Sequence, residues 1–227
     1  MTSPSGGSSA RALANEAMPI RLTPQMKLRL TDRARQMIAR SLERFPELRR
    51  TMITVGYTRK HLGSATIVYR KGSVSGLVIR LKVRKLTYQT IGHELTHLLQ
   101  GLSRGIRAKK RPAHEKIPSG EQQCDIWTLA RDFLFCDDAP TYIKMPQTLR
   151  DDWPEYAARV RALCIAAIEK RRTERFYIRW LEGELRKLER TPARLPAQLP
   201  LPFFTEGATQ QAGRGSAGSS PRGVVKA

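Results

Sequence analysis

The sequence predicts an α+β domain: one amphipathic helix, then a small, mainly antiparallel sheet of about three strands, then helices. Three observations predict it. The stretch "TDRARQMIARSLERFPEL" sets Ala34, Met37, Ile38, Leu42 and Phe45 at helical spacing. The runs "TMITVGYT" (51–58), "SATIVYR" (64–70) and "GLVIRLKV" (76–83) are rich in β-branched residues and bounded by turn residues. Beyond the third run the apolar spacing returns to that of helices and stays so to about residue 190.

Each element has local signals. Thr31 or Asp32 caps the first helix and Pro46 stops it. Gly72, Ser73 and Gly76 mark a turn between the last two strands. In the third run Ile79, Leu81 and Val83 point to one face and Arg80, Lys82 and Arg84 to the other, which suits a core on one side and solvent or an anionic partner on the other. "TYQTIGHELTHLLQG" reads as a helix with Thr87 as N-cap and Gly101 as a stop just past its end. A basic loop over 102–118 leads to a second helix, "SGEQQCDIWTLARDFLF", where Ser119 and Gln122 have the spacing of a capping box. After the connector "DDAPTYIKMP", residues 153–190 read as helix, in one piece or two.

Domain organisation follows from composition. Residues 1–19 are rich in Ser, Gly and Ala and read as a disordered tail. Residues 191–227 form a Pro-rich segment and a low-complexity tail, which leaves 20–190 as the folded domain. Cys124, Cys136 and Cys164 form no close pair, so a disulfide scaffold is excluded and each reads as a small buried apolar residue. The start has no apolar signal-peptide core, and no run approaches the roughly 20 apolar residues of a membrane span. The chain therefore reads as cytoplasmic. With 41 Lys+Arg against 20 Asp+Glu, its charge of +21 attracts anionic partners.

The chemistry is concentrated in "IGHELTHLLQG" (91–101). Residues four apart on a helix share a face, so His93 and His97 can direct ring nitrogens to one point. Zinc accepts imidazole nitrogen at about 2.0–2.1 Å. Glu94 is rotated by roughly 100° on the helix and is free to act as a base on water. Two histidines are one short of a catalytic zinc site, which has three protein ligands and an open position. Glu121, with Asp125 four residues on, and His114 in the basic loop are the candidates for the third.

The H-E-x-x-H stretch resembles that of zinc metallopeptidases of the zincin class, and with the order of elements it implies a minimal zincin domain. "E-x-x-x-D" over 121–125 resembles the gluzincin branch, and "EQQCDIWTLARDFL" is similar to the glutamate helix of the small ImmA/IrrE-type metallopeptidases. That resemblance implies Glu121 as the third ligand of Zn2+ and Asp125 as the hydrogen-bond partner of His93. His114 resembles the third histidine of SprT/Spartan-like proteases, and "RKHLGSA" is similar to a stretch of the same group, which implies His114 in place of Glu121.

The activity so implied is hydrolysis of peptide bonds, with Glu94 as general base. Tyr142, His114 or Arg131 would face the developing oxyanion, and the strand 76–83 would edge the cleft and pair with an extended substrate. From Arg59 to Lys85 there are eight Lys/Arg and no acid, and from Arg104 to Lys116 six more against Glu115 alone. Arg80, Lys82, Arg84, Arg107, Lys109, Lys110 and Arg111 thus nominate nucleic acid as a partner and DNA-associated proteins as substrates. Aromatics nearby are few, namely Tyr57, Tyr69 and Tyr88, which favours phosphate contact over base stacking. Two other readings use the same residues: a nucleic-acid-binding module on a zincin-like scaffold without turnover, and a zinc hydrolase of non-peptide amides.

Overall fold

Strand, helix, three strands and then helices is the order found, and one early strand has no sequence signal. The computed structural model describes residues 20–49, 51–71, 73–103 and 116–190. All of these belong to the unit Met1–Ala193; a second unit, Arg194–Ala227, lies outside them. The tails 1–19 and 191–227, Gly72, Arg107, Lys109, Lys110, Arg111 and His114 also lie outside the described residues. The elements are β1 (Ile20–Leu22), α1 (Pro24–Lys27), α2 (Asp32–Glu43), β2 (Ile53–Tyr57), β3 (Gly63–Arg70), β4 (Ser73–Leu81), α3 (Tyr88–Leu102), α4 (Glu121–Arg131), α5 (Gln147–Asp151), α6 (Trp153–Lys170) and α7 (Tyr177–Arg190).

The fold is α+β, but the sheet is four-stranded and mixed, not a three-stranded, mainly antiparallel one. Its order is β1-β2-β4-β3. β1 pairs parallel with β2, β2 pairs parallel with β4, and only β3 and β4 pair antiparallel. The physical reason is the path of the chain. After β2 it crosses to the far edge to form β3, then returns through a hairpin so that β4 inserts between β2 and β3. Alternation within a strand specifies which face is buried, not which strand lies beside it.

β4 begins at Ser73, and Gly76 pairs with Val68 inside the ladder rather than turning the chain. The strand ends at Leu81, and Val83 opens a 3-10 turn over Val83–Lys85. Leu77, Ile79 and Leu81 are fully buried on the inner face while Arg80 is exposed on the other. The inner face meets Ile91, Leu95 and Leu98 of α3 and Met37, Ile38 and Leu42 of α2 in one cluster. Each such side chain contributes about 1.5–3 kcal/mol by leaving water. Thr31, rather than Asp32, caps α2, accepting from the Ala34 amide at 3.2 Å.

α3 is held at several points. Thr87 caps it as anticipated, accepting from the Thr90 amide at 3.1 Å. Asp137 reaches from the far end of the α4 segment and accepts from the Tyr88 and Gln89 amides at 2.7 and 2.8 Å. Gly92 lets α4 and the 3-10 turn Phe133–Cys136 come close, since a Cβ there would lie 2.6 Å from both Thr128 Cγ2 and Phe135 Cδ1. Gly101 does not stop the helix, which runs on to Leu102. It is a point of close approach: a Cβ would lie 2.1 Å from Ile67 Cδ1 of β3.

α4 connects two cores. One edge carries the polar residues that face α3, and the other gives Ile126 and Leu129 to a second cluster with Val160 and Cys164 of α6 and Leu181 and Leu185 of α7. Residues 153–190 thus form two helices. The capping box at Ser119 does not form, because Gly120 at the N-cap takes φ 117°, turning the chain so that no side chain caps the helix. Gln122 instead donates to Glu182 Oε1 of α7 at 2.9 Å.

Candidate metal centre

α3 and α4 pack side by side and bring three sequence-nominated residues to one point. His93 and His97 stand one turn apart on α3, and Glu121 is the first residue of α4. Glu121 Oε2 lies 2.9 Å from His93 Nε2 and 2.9 Å from His97 Nε2, and the two Nε2 atoms are 3.1 Å apart. A tetrahedral zinc with bonds of 2.0–2.1 Å sets its N and O ligands about 3.3 Å apart. The observed triangle is within about 0.4 Å of that.

The hydrogen bonds behind the triangle decide what its atoms are. Asp125 is fully buried, and its Oδ1 accepts from Gln89 Nε2 at 2.9 Å and faces His93 Nδ1 at 2.7 Å. Its Oδ2 accepts from the Tyr142 amide at 2.6 Å. A carboxylate cannot donate, so the proton of a neutral His93 sits on Nδ1. Gln100 settles His97 in the same way. Its Nε2 donates to the carbonyls of Pro118 and Gly120, which leaves Oε1 facing His97 Nδ1 at 3.1 Å as an acceptor. Both Nε2 atoms are therefore lone-pair atoms, and both face a carboxylate oxygen. Three acceptors within 3.1 Å of one another, with no donor among them, repel unless a cation or a proton joins them.

The titration of the site reflects the same demand for positive charge. Burial opposes a charged His93, but the hydrogen bond and charge of Asp125, with Glu94 and Glu121, outweigh it and raise its pKa. Burial works against the Glu121 carboxylate too, yet the hydrogen bonds to His93 and His97 hold it below the ordinary range. Glu94 has no such partner. Burial pushes it up to about 7, against the pull of His93 and with a further push from Glu121.

Glu94 sits beside the triangle, not in it. Its carboxyl faces Gly63 at the start of β3, where an added Cβ would lie 2.5 Å from Oε1. His93, Glu94, His97 and Glu121 line a cavity of about 630 Å³ whose opposite wall is β3. β3 is one of the two edge strands of the sheet. The strand that edges the cleft is thus 63–70, not the anticipated 76–83, which lies inside the sheet. Leu62, Tyr69 and Tyr142 stand half-exposed around the cavity.

Tyr142 stacks on the His93 ring with centroids 5.4 Å apart and an interplanar angle of 25°. Arg131, the other described oxyanion candidate, serves elsewhere. It is bidentate to Glu47 at 2.8 and 3.1 Å and lies 4.3 Å over the Phe45 ring. His114 lies outside the described residues.

Cys124 is a residue whose nearness to the site the sequence reading did not anticipate. Its sulfur and the ring nitrogens of His93 and His97 lie within 4.8 Å of one another. Only its position three residues after Glu121, on the same helical face, signalled this. Metal binding needs the thiolate, and burial, with the charges of Glu121, Asp125 and Glu94, pushes this thiol far up. Glu121 is both closer and ionised, so it is the better donor of the two. No protein-family model, curated protein or solved structure matches this chain.

Proposed function

We propose that this chain is a zinc-dependent peptidase in which His93, His97 and Glu121 hold the metal, Asp125 fixes His93, and Glu94 handles the proton. The observation that carries the reading is the convergence of three lone-pair atoms that no donor serves, at the edge of an open cavity and beside a separate buried carboxyl. With its helix, sheet, histidine helix and glutamate helix in that order, the fold supports a minimal zincin arrangement.

Zinc, when bound there, supplies a Lewis acid that polarises a carbonyl and brings the pKa of water toward 7. Glu94 then accepts a proton from water and delivers it to the leaving amine. In the metal-free protein burial raises its pKa to about 7, and a bound cation beside it would favour the carboxylate that acts as the base. The free edge of β3 offers backbone N–H and C=O groups to an extended peptide laid between it and α3. Tyr142, half-exposed beside His93, supplies an O–H donor on the side where an oxyanion develops. Asp125 and Gln100 keep both imidazoles in the tautomer that binds metal.

The three cysteines are free and buried, and no helix among the described residues is long and apolar enough to cross a membrane. A cytoplasmic site of action agrees with both. The test is a mixture of unlabelled peptides analysed by mass spectrometry, with the wild type and Glu94→Gln. The wild type cleaves, and Glu94→Gln keeps its metal but loses 10²-fold or more of the rate, on the order expected for a general base. Equal cleavage by both would remove Glu94 from the mechanism, and metal-loaded wild type that cleaves no peptide would contradict the peptidase reading.

A further inference from the structure

We infer that the outer face of the sheet, opposite the face covered by α2 and α3, docks the phosphate backbone of a nucleic-acid duplex. This goes beyond the peptidase reading and does not rest on it.

The inner face of the sheet is covered by α2 and α3, and the outer face presents Ser64, Thr66 and Arg80 together with Val68 and Val78. Ser64, Thr66 and Arg80 alternate with the residues that face the core, and Arg80 lies across from Gly56 and Ser64 in the ladder. The stem of Arg80 runs close over Gly56, where an added Cβ would be 3.3 Å from its Cγ. Its exposed guanidinium donates to Thr66 Oγ1 at 3.3 Å, which orients it with no carboxylate involved.

The remaining cations gather at the two ends of the β3–β4 hairpin. Exposed Arg59 and Lys60 precede β3, and exposed Arg84 and Lys85 follow β4 at the same end, where the Lys82 amide donates to the Leu62 carbonyl at 2.9 Å. Exposed Arg70 and Lys71 stand at the other end. The two ends are about 23 Å apart, from seven steps of about 3.3 Å. None of these cations forms an ion pair with a described residue, whereas cations of the C-terminal helices do, as in Lys170–Glu174, Arg172–Glu169 and Lys187–Glu184.

This distribution selects the partner. The cavity side carries Glu94 and Glu121 and no Lys or Arg among the residues that line it. The hairpin is positive at both ends, with Arg80 on its outer face between them, and carries no Asp or Glu. A duplex carries one phosphate per roughly 3.4 Å of axis on each strand, so about 23 Å of axis spans about seven on a strand, of which only those on the facing side are within reach. An acidic peptide would have to carry carboxylates at comparable density to match it. Ser64, Thr66 and Arg80 offer no aromatic ring, so the contact is to backbone and independent of sequence.

The experiment uses the full chain, a fluorescein-labelled DNA duplex of about 20 bp and anisotropy between about 50 and 200 mM salt. The variants are R80Q/R84Q/K85Q on the described face and K109Q/K110Q/R111Q in the basic loop. Thermal unfolding and metal content are measured on each to show that the fold is kept. Binding is expected to weaken on the order of tenfold for the first variant, with a salt slope shallower by about 3, since each phosphate contact contributes about 0.9. Absence of wild-type binding at low salt would overturn the inference. So would an unchanged salt slope in R80Q/R84Q/K85Q with the loss confined to the loop variant. Poly-glutamate that displaces the duplex at equal charge concentration would identify an acidic protein as the partner instead. A Glu121→Ala variant that loses metal and still binds duplex would separate this surface from the metal centre.

Discussion

Gly63→Ala moves the proposed base without touching a proposed ligand. In the present structure a Cβ on Gly63 would stand 2.5 Å from Glu94 Oε1, 2.6 Å from Cγ and 2.8 Å from Cδ. Ordinary carbon contacts are about 3.5–4.0 Å, so the carboxyl has to retreat by about 1 Å. Gly63 has no positive φ, so alanine meets no backbone strain and the collision itself is what is tested. The obstacle is the end of a side chain, which yields sooner than backbone does. The three nearest atoms met all belong to Glu94. A displacement of about 1 Å in a reacting group costs on the order of 10²-fold in rate. The assay is kcat/KM on a peptide identified as cleaved, together with metal content and melting temperature. The expected result is a loss near 10²-fold in kcat/KM with metal retained. Full activity in a metal-loaded Gly63→Ala protein would refute the placement of Glu94 as the working base.

Other consequences are independent of that one. Gln100→Leu removes the acceptor for His97 Nδ1–H and both donors to the Pro118 and Gly120 carbonyls. Zinc affinity, measured by competition with a chelator, should fall by about 10–100-fold, and unchanged affinity would show that Gln100 does not orient the site. Gly92→Ala forces a methyl to within 2.6 Å of Phe135 and Thr128, and chemical denaturation should show a loss of about 1–3 kcal/mol. An unchanged midpoint would mean that α3 and α4 are not packed as described. In chelator-treated protein Glu94 titrates near 7 when folded, against an ordinary 4.5. A raised carboxyl favours the protonated folded state, so this group's contribution falls as pH rises from about 4.5 to about 7, by roughly 3 kcal/mol. Glu94→Gln should remove that part of the pH slope, and identical slopes in both proteins would contradict it.

The site was more legible in the sequence than the sheet. H-E-x-x-H on a helix encodes its own geometry, because the helical repeat alone puts His93 and His97 on one face. Glu121 and Asp125 were found through the same repeat on α4, helped by a family resemblance. The sheet has no comparable code. The three-residue β1 has no room for alternation, and the parallel neighbours β2 and β4 are joined through β3, a relation that no local pattern expresses. Gly101 shows the same limit. Its local sequence reads as the end of a helix, whereas its small size answers to Ile67 on β3, which only the tertiary structure brings near. Gln100 went unread because its value lies in facing His97, Pro118 and Gly120 at once, and Cys124 because a buried cysteine is ordinary until two imidazoles stand beside it.

Whether His93, His97 and Glu121 hold zinc is decided by metal content, measured by mass spectrometry on purified wild type, Glu121→Ala, Cys124→Ala and His93→Ala. About one zinc per chain is expected in the wild type and in Cys124→Ala, and its loss in Glu121→Ala and His93→Ala. A wild type that neither carries nor takes up zinc, or zinc kept by Glu121→Ala and lost from Cys124→Ala, would contradict that assignment.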